Sequence, residues 1–256
     1  MQYPVVLVHG IARNDHKEYH AWGRIPDALK EHGIDVYFGN TDAWGGIMNN
    51  AELLKETIDS IIKHTNYEKV NIIAHSKGGI DSRYLIWKHQ YGDKVASLTT
   101  IATPHQGSEI ADLFYNTNII HSKMVKQNLH SIGKLYGDIS PDMYTVNAEL
   151  TTENMIEFSA KVTMDPRVYY QSVFTVMQNP YDDPVFSRSN MYIKNRSGEN
   201  DGVVSRKSAT FGNNVIRISG SISHEQIIDQ GGKKIRGTVI PEIYLELAKD
   251  LSRKGF

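Results

Sequence analysis

One short segment constrains the fold of this chain more than any other, the run from Asn71 to Gly79 with the sequence Asn-Ile-Ile-Ala-His-Ser-Lys-Gly-Gly. An apolar stretch ends, a serine follows at once, and two glycines open the next segment. This pattern is typical of a nucleophile elbow, a sharp strand-to-helix turn with a reactive serine at its tip, although Ala74 replaces the usual first glycine. We predict that Ser76 is a nucleophile; the alternative is an ordinary turn.

The rest of the chain alternates between short apolar strands and helices with one apolar face. The predicted strands cover residues 5–8, 34–38, 70–74, 95–102, 169–176 and 215–219, and the predicted helices cover 25–32, 50–64, 80–89 and 241–251. Such alternation indicates an α/β fold with a mostly parallel central sheet and helices on both faces. A length of 256 residues favours one domain, residues 1–256, over two.

The order weakens after the fourth predicted strand, which suggests a helical, lid-like insertion at about residues 112–165. Within it, the segment from Ile119 to Leu135 has apolar residues at helical spacing. We predict a helix over the active site that acts as a lid or as a wall of the acyl pocket. The alternative is a core helix that does not move.

Composition excludes several classes of function. The net charge of −1 provides no field that would attract nucleic acid, and the lack of cysteine excludes disulfides and a cysteine nucleophile. The first residues, Met1 to Pro4, contain no basic and apolar leader. We expect a protein that stays in the cytoplasm, leaves without a cleaved signal, or is written here without its signal.

A serine hydroxyl needs a base, and in this kind of fold the order along the chain is serine, acid, histidine. Of the eleven histidines, His224 alone follows the late strands. Asp201 lies between, in a turn before a β-like pair of valines, and Asp182 and Asp183 are the competing acids. We predict a triad of Ser76, Asp201 and His224.

An oxyanion hole requires two backbone N–H groups close to the serine. We assign them to Lys77, directly after the nucleophile, and to Ile11, in the loop that follows the first strand. The side chain of Lys77 is expected to be solvated at the start of its helix.

Several motifs together resemble bacterial triacylglycerol lipases of the α/β-hydrolase superfamily. They are Tyr-Pro-Val-Val-Leu-Val-His-Gly at 3–10, the Ala-His-Ser-Lys-Gly-Gly elbow, Thr-Pro-His-Gln-Gly-Ser at 103–108 and Asn-Asp-Gly at 200–202. Their order matches that family along nearly the whole chain. The resemblance implies the α/β-hydrolase fold, the same triad of Ser76, Asp201 and His224, and the same oxyanion hole at Ile11 and Lys77.

The resemblance also implies a structural calcium near the histidine. Asp183 fits one ligand position, but Gln226 stands where a second aspartate is expected. A neutral amide is a weaker ligand for Ca²⁺ than a carboxylate. We therefore expect no required cofactor, with a structural calcium at Asp183 as the open alternative. The pair His16 and His20 has metal-site spacing, but a solvated loop is the better interpretation.

The predicted reaction is hydrolysis of carboxylic esters, in particular lipid acyl esters, through an acyl-serine intermediate. The alternatives are a thioesterase or acyltransferase that uses the same triad, a non-catalytic α/β-hydrolase relative that binds a ligand, and, more remotely, a cofactor-free haloperoxidase-like or lyase activity. The expected partner is a lipid or small ester substrate, with at most transient contact with a lipid interface and no nucleic acid.

Overall fold

A parallel sheet forms the centre of the computed structural model, which describes residues 1–15, 21–117 and 137–256. In these ranges the sheet has six strands in the order β2-β1-β3-β4-β5-β6, and every neighbouring pair is parallel. The strands are β1 Val5–Val8, β2 Val36–Phe38, β3 Val70–His75, β4 Val95–Ile101, β5 Tyr169–Phe174 and β6 Val215–Arg217. The predicted strands are confirmed with shifts of a few residues at their ends.

Helices connect the strands and cover the sheet. They are α1 Ile25–Glu31, α2 Ile47–His64, α3 Lys77–His89, α4 Glu109–Tyr115, α5 Met143–Glu149, α6 Thr152–Lys161, α7 Ser187–Ser197, α8 Arg206–Ala209 and α9 Ile240–Arg253. Short 3₁₀ turns occur at Tyr91–Asp93, Pro180–Asp182 and Gln226–Ile228. No helix in the described ranges is long and apolar enough to cross a bilayer.

Alternation along the strands places apolar side chains on both faces of the sheet. Val5 and Leu7 of β1 pack into a buried cluster with residues of α1 and α9. Val6 and Val8 pack into a second cluster with residues of α2 and α3. The helices therefore lie on both faces, as predicted, and the strands are apolar along their length because both sides are buried.

The start of α2 differs from the sequence prediction, which placed the first residue of this helix at Asn50. The helix begins at Ile47, preceded by Gly46, so Asn50 lies inside the first turns. Its buried side chain accepts from the Asp42 N–H at 3.1 Å and donates to the Asp81 carboxylate at 3.0 Å. Asn50 thus joins α2 to α3, because tertiary partners for a buried amide outweigh its preference for helix ends.

Between β4 and β5 lie three described helices of the predicted insertion. Ala111 of α4, Val146 of α5 and Met155 of α6 form a third buried cluster with Ile47 and Ile80 from α2 and α3. This part of the insertion is packed onto the helices beside the elbow. The helix predicted from Ile119 to Leu135 lies outside the described residues, and so do His16 and His20.

Two carboxylates connect residues 138–140 of this insertion to the loop before α2. The Asp42 carboxylate accepts from the N–H groups of Ile139 and Ser140 at 2.8 and 2.6 Å. The Asp138 carboxylate accepts from the N–H groups of Ala43 and Trp44, both at 2.8 Å. The two segments therefore hold each other through reciprocal hydrogen bonds.

Candidate active site

Ser76 occupies the turn between β3 and α3 with a strained backbone, φ 53° and ψ −129°. Its N–H donates to the carbonyl oxygen of Ile101 at 2.8 Å, which ties the turn to β4. A β-carbon at Gly78 would lie 2.4 Å from the carbonyl oxygen of His9, so only glycine fits there. Backbone strain of this kind persists where the surrounding structure enforces it. Here the strained turn places the serine side chain at the carboxyl edge of the sheet.

The imidazole of His224 lies between the other two predicted triad residues. Its Nε2 is 2.9 Å from Ser76 Oγ, and its Nδ1 is 2.8 Å from Asp201 Oδ2. The other oxygen of Asp201 accepts from the N–H groups of Val203 and Val204 at 2.9 and 2.7 Å. All three predicted residues are buried, and the structure brings them into one hydrogen-bonded chain.

Opposing effects determine the protonation of His224. Burial disfavours the imidazolium, but the charge of Asp201 and its hydrogen bond stabilise it more, so the pKa of His224 is raised above its ordinary value. A histidine with this environment is a stronger base than one in water. It can accept a proton from Ser76 while Asp201 balances the resulting charge.

The two residues assigned to the oxyanion hole lie on either side of the elbow. Lys77 is the first residue of α3, where backbone N–H groups have no acceptor within the helix. Gly10, directly before Ile11, approaches so closely that a β-carbon there would lie 2.7 Å from Ser76 Cβ. The loop that carries Ile11 is thus packed against the serine, and the role of both N–H groups remains a prediction.

The expectation of a solvated Lys77 side chain is wrong. Its ammonium lies 2.6 Å from Asp81 Oδ1, and both side chains are almost completely buried. The second Asp81 oxygen accepts from Asn50 at 3.0 Å. Burial raises the pKa of Asp81, although Lys77 and Asn50 oppose that shift. The lysine is buried because α2 and α3 pack around the elbow, a contact that local sequence does not reveal.

His75 is a site residue that the sequence argument did not use. Its Nε2 lies 3.0 Å from the carbonyl oxygen of His224, and the two rings are 4.7 Å apart. Burial, and next the charge of His224, lowers the pKa of His75 well below its ordinary value, so it is a neutral donor. Its position directly before the nucleophile was the only signal in the sequence.

Asp182 and Asp183 do not compete for the histidine. The Asp182 carboxylate accepts from the hydroxyl of Ser221, and the Asp183 carboxylate accepts from the hydroxyl of Ser223 at 2.6 Å. Both serines belong to the segment from Ser221 to Gln226, named here the histidine loop because it carries His224. These aspartates therefore bind hydroxyl groups of the histidine loop, whereas the imidazole of His224 contacts Asp201.

The calcium position implied by the family resemblance does not fit these residues. The second oxygen of Asp183 accepts from the Val185 N–H at 3.1 Å, and the amide oxygen of Gln226 accepts from the Ser223 N–H at 3.0 Å. In the parts of the chain that are described, no group of three or more acidic or histidine side chains could hold a metal ion. The oxygens that would bind a cation are already hydrogen-bonded to protein donors.

Comparison with known proteins is consistent with this geometry. The sequence profile of the palmitoyl protein thioesterase family matches residues 4–214, most of the chain. The chain belongs to that family. The matched range includes Ser76 and Asp201 and ends before His224.

Curated relatives of this palmitoyl protein thioesterase family member include bacterial lipases, which confirms the resemblance. A triacylglycerol lipase of Pseudarthrobacter phenanthrenivorans is 40% identical over 116 residues, but the match covers 43% of this chain and 36% of the relative. A triacylglycerol lipase of Pseudomonas fragi is 25% identical, and the match covers 99% of this chain and 97% of the relative. The chain thus spans only about a third of the first relative.

A solved structure supports the fold. The mature lipase BlEst2 of Bacillus licheniformis superposes with a TM-score of 0.70 at 22% identity, over 96% of this chain and 91% of that one. At this level of identity the likeness establishes the fold only. The predicted α/β-hydrolase fold is therefore confirmed.

Proposed function

We propose that this protein hydrolyses carboxylic esters through an acyl-serine intermediate. The observation that carries the proposal is the position of His224 between Ser76 Oγ at 2.9 Å and Asp201 Oδ2 at 2.8 Å. A nucleophile and a base within hydrogen-bond reach, with the base oriented by a carboxylate, form the arrangement that acyl transfer requires.

In the acylation step, Ser76 Oγ attacks the carbonyl carbon of the ester while His224 Nε2 takes the hydroxyl proton. The negative charge that develops on the carbonyl oxygen is placed beside the N–H groups of Lys77 and Ile11. The intermediate collapses when the alkoxide leaves with the proton from His224. The products of this step are a free alcohol and an ester bond between the acyl group and Ser76.

Deacylation repeats the sequence with water as the nucleophile. His224 removes a proton from water, the hydroxide adds to the acyl carbon, and the proton returns to Ser76 as the carboxylic acid leaves. Asp201 holds the imidazole in the tautomer that bears a proton on Nδ1, so Nε2 is free to act as base. No step in this scheme needs a metal ion.

Lipid acyl esters are the substrate class that we favour. The named relatives are triacylglycerol lipases. The structure adds exposed apolar side chains on α4: Leu113 and Phe114 are 43% and 54% exposed. The start of α4 is tied to the Asp201 turn, because Ser108 Oγ donates to the Val203 carbonyl oxygen at 2.7 Å. We propose that an acyl chain bound at Ser76 extends onto this apolar surface of α4.

Thioester hydrolysis is the second candidate, and the family match to palmitoyl protein thioesterases favours it. The chemistry is the same except that a thiolate leaves in place of an alkoxide. A matched pair of substrates, an oxygen ester and a thioester of the same acyl chain, separates the two. A higher kcat/KM for the ester across several chain lengths supports the lipase-type assignment, and the reverse order supports the thioesterase.

A fluorophosphonate probe tests the nucleophile directly. We expect it to label the wild-type protein at Ser76 and to abolish ester hydrolysis, whereas Ser76→Ala is neither labelled nor active. Loss of a triad nucleophile costs on the order of a million-fold in turnover. The control is Ser252→Ala, which removes an exposed serine from α9 and should change nothing. A folded Ser76→Ala protein that keeps about a tenth of the activity contradicts the assignment.

The predicted substrate surface has its own test. Phe114→Ser should lower kcat/KM for long-chain esters and leave short-chain esters unchanged, because only a long chain reaches α4. Val215→Ser is the matched control, since Val215 is an exposed apolar residue on the edge strand β6. Equal losses on short and long chains would contradict a role of α4 in acyl binding.

A further inference from the structure

The segment that carries the proposed base is connected to the rest of the protein by an unusual alternation of side chains. Ser221 and Ser223 point to the turn at residues 179–183, whereas Ile222 is buried in the core beneath the sheet and His224 faces Ser76. Each serine hydroxyl donates to one of two consecutive carboxylates, Asp182 and Asp183. The two acids thus hold the histidine loop at two points, on either side of Ile222.

Both contacts are supported by further hydrogen bonds. Ser221 Oγ accepts from the Gln178 N–H at 2.8 Å, and the Asp182 oxygen that accepts from this serine also accepts from the Asn179 N–H at 2.9 Å. Arg236 donates to Asp182 Oδ1 at 2.6 Å and to the Ser221 carbonyl oxygen at 2.8 Å. The acid turn and the loop are therefore joined by side chains from both partners.

The second contact, between Ser223 and Asp183, lies directly before His224 in the histidine loop. Ser223 is completely buried, and its hydroxyl donates to Asp183 at 2.6 Å. Its N–H donates to the Gln226 amide oxygen at 3.0 Å, so Gln226 closes the loop on itself across His224. A hydrogen bond to a charged group is stronger than a neutral one. Here the hydroxyl is buried and the carboxylate that accepts from it is half-buried.

We infer that Asp183, Ser223 and Gln226, assisted by Asp182 and Ser221, are positioning residues that hold His224 in line with Ser76 without a divalent cation. The inference rests on the proposed function, because positioning is defined by the reaction of Ser76. Its physical basis is that the carboxylate of Asp183 and the amide oxygen of Gln226 both accept hydrogen bonds from Ser223. A cation that bound there would compete for these oxygens with the hydroxyl and N–H of Ser223.

Thermal unfolding with and without calcium tests whether the histidine loop is held without a cation. This measurement does not depend on enzymatic activity. Full-length protein is dialysed against a chelator and then given millimolar Ca²⁺. A site that bound the folded state alone would raise Tm by several degrees at saturation. We expect Tm to change by less than about 1 °C. A clear rise with Ca²⁺, or a fall with the chelator, overturns the inference.

Variants test the positioning part. Ser223→Ala removes the hydroxyl that Asp183 holds, and we expect kcat to fall about tenfold to a hundredfold with KM nearly unchanged, because small displacements of a reacting group cost this much. The rate of labelling by the fluorophosphonate should fall in parallel. Ser219→Ala, at an exposed serine shortly before the loop, is the control and should match the wild type.

Asp183→Asn serves if Ser223→Ala fails to fold, since an asparagine keeps the shape and one acceptor oxygen but loses the charge. A folded Ser223→Ala or Asp183→Asn protein with kcat within twofold of wild type overturns the positioning role. If the wild-type protein neither hydrolyses esters nor reacts with the probe, the proposed function fails, while the calcium experiment still decides whether a cation holds the loop.

Discussion

Lys77 and Asp81 form an ion pair, 2.6 Å apart, that is buried one helical turn after the nucleophile. Lys77 also provides one of the two N–H groups assigned to the oxyanion hole. Breaking a buried pair by removing one partner leaves an uncompensated charge in the protein interior. The pair therefore links the stability of the fold to the geometry of the elbow.

Lys77→Met should reduce the free energy of unfolding by about 3–5 kcal/mol, because Asp81 stays buried without its cation. The double variant Lys77→Met with Asp81→Asn should recover most of this loss. Lys55→Met is the matched control: Lys55 and Asp59 have the same spacing on α2 but are about one-third exposed, so the cost should be below about 1 kcal/mol. Urea unfolding measures all three, and equal losses at positions 55 and 77 would contradict the buried pair.

Asp201→Asn should lower kcat by about ten-thousand-fold while the protein remains folded, because an amide stabilises the wrong imidazole tautomer. Asp27→Asn, which changes an exposed acid in the first turn of α1, provides the control. Circular dichroism and kcat for the ester substrate are the measurements. If Asp201→Asn kept most of its activity, another carboxylate would have to orient His224.

The rate should depend on the ionisation of His224. Because its folded-state pKa is raised, kcat/KM should fall as the pH drops through a value above the ordinary histidine pKa of about 6.5. NMR titration of the imidazole in Ser76→Ala, which leaves the bond to Asp201 in place, checks the direction. An imidazole that titrates below about 6.5 would show that burial outweighs Asp201.

The same raised pKa has a consequence for stability. The imidazolium is favoured in the folded state, so its contribution is fully present below about pH 6.5 and is lost as the pH rises through the folded-state pKa of His224. Unfolding measured across this range should show a smaller pH dependence in Asp201→Asn, since that variant lacks the charge that raises the pKa. An unchanged slope would contradict the coupling between His224 and Asp201.

Gly78→Ala should destabilise the protein by at least about 3 kcal/mol, because the new β-carbon would meet the carbonyl oxygens of Val8 and His9, which cannot move aside. Gly33→Ala is a useful contrast: its φ is +72° but nothing lies within 4 Å of the new carbon, so backbone strain alone should cost about 1 kcal/mol. Thermal unfolding compares them. Similar losses would mean that the close approach at Gly78 is not the limiting factor.

The amino-acid sequence by itself determined the features that depend on local order. The elbow is recognisable because an apolar strand, a serine and two glycines must be contiguous to make that turn. The strands and helices follow from periodicity. The triad residues Ser76, Asp201 and His224 were predicted from the chain order that the α/β-hydrolase fold uses. The elbow, the strands and the helices can be predicted from sequence because each depends on residues that are close neighbours along the chain.

Tertiary structure alone decided which polar groups are buried and with what partner. Lys77 looks like a surface lysine until α2 packs over α3 and buries it with Asp81 and Asn50. Asp182 and Asp183 look like candidate acids until the loop at Ser221 and Ser223 folds onto them, some forty residues away in sequence. The cost of burying a charge is compensated by partners that the chain brings together only when it folds, and no local pattern records that pairing.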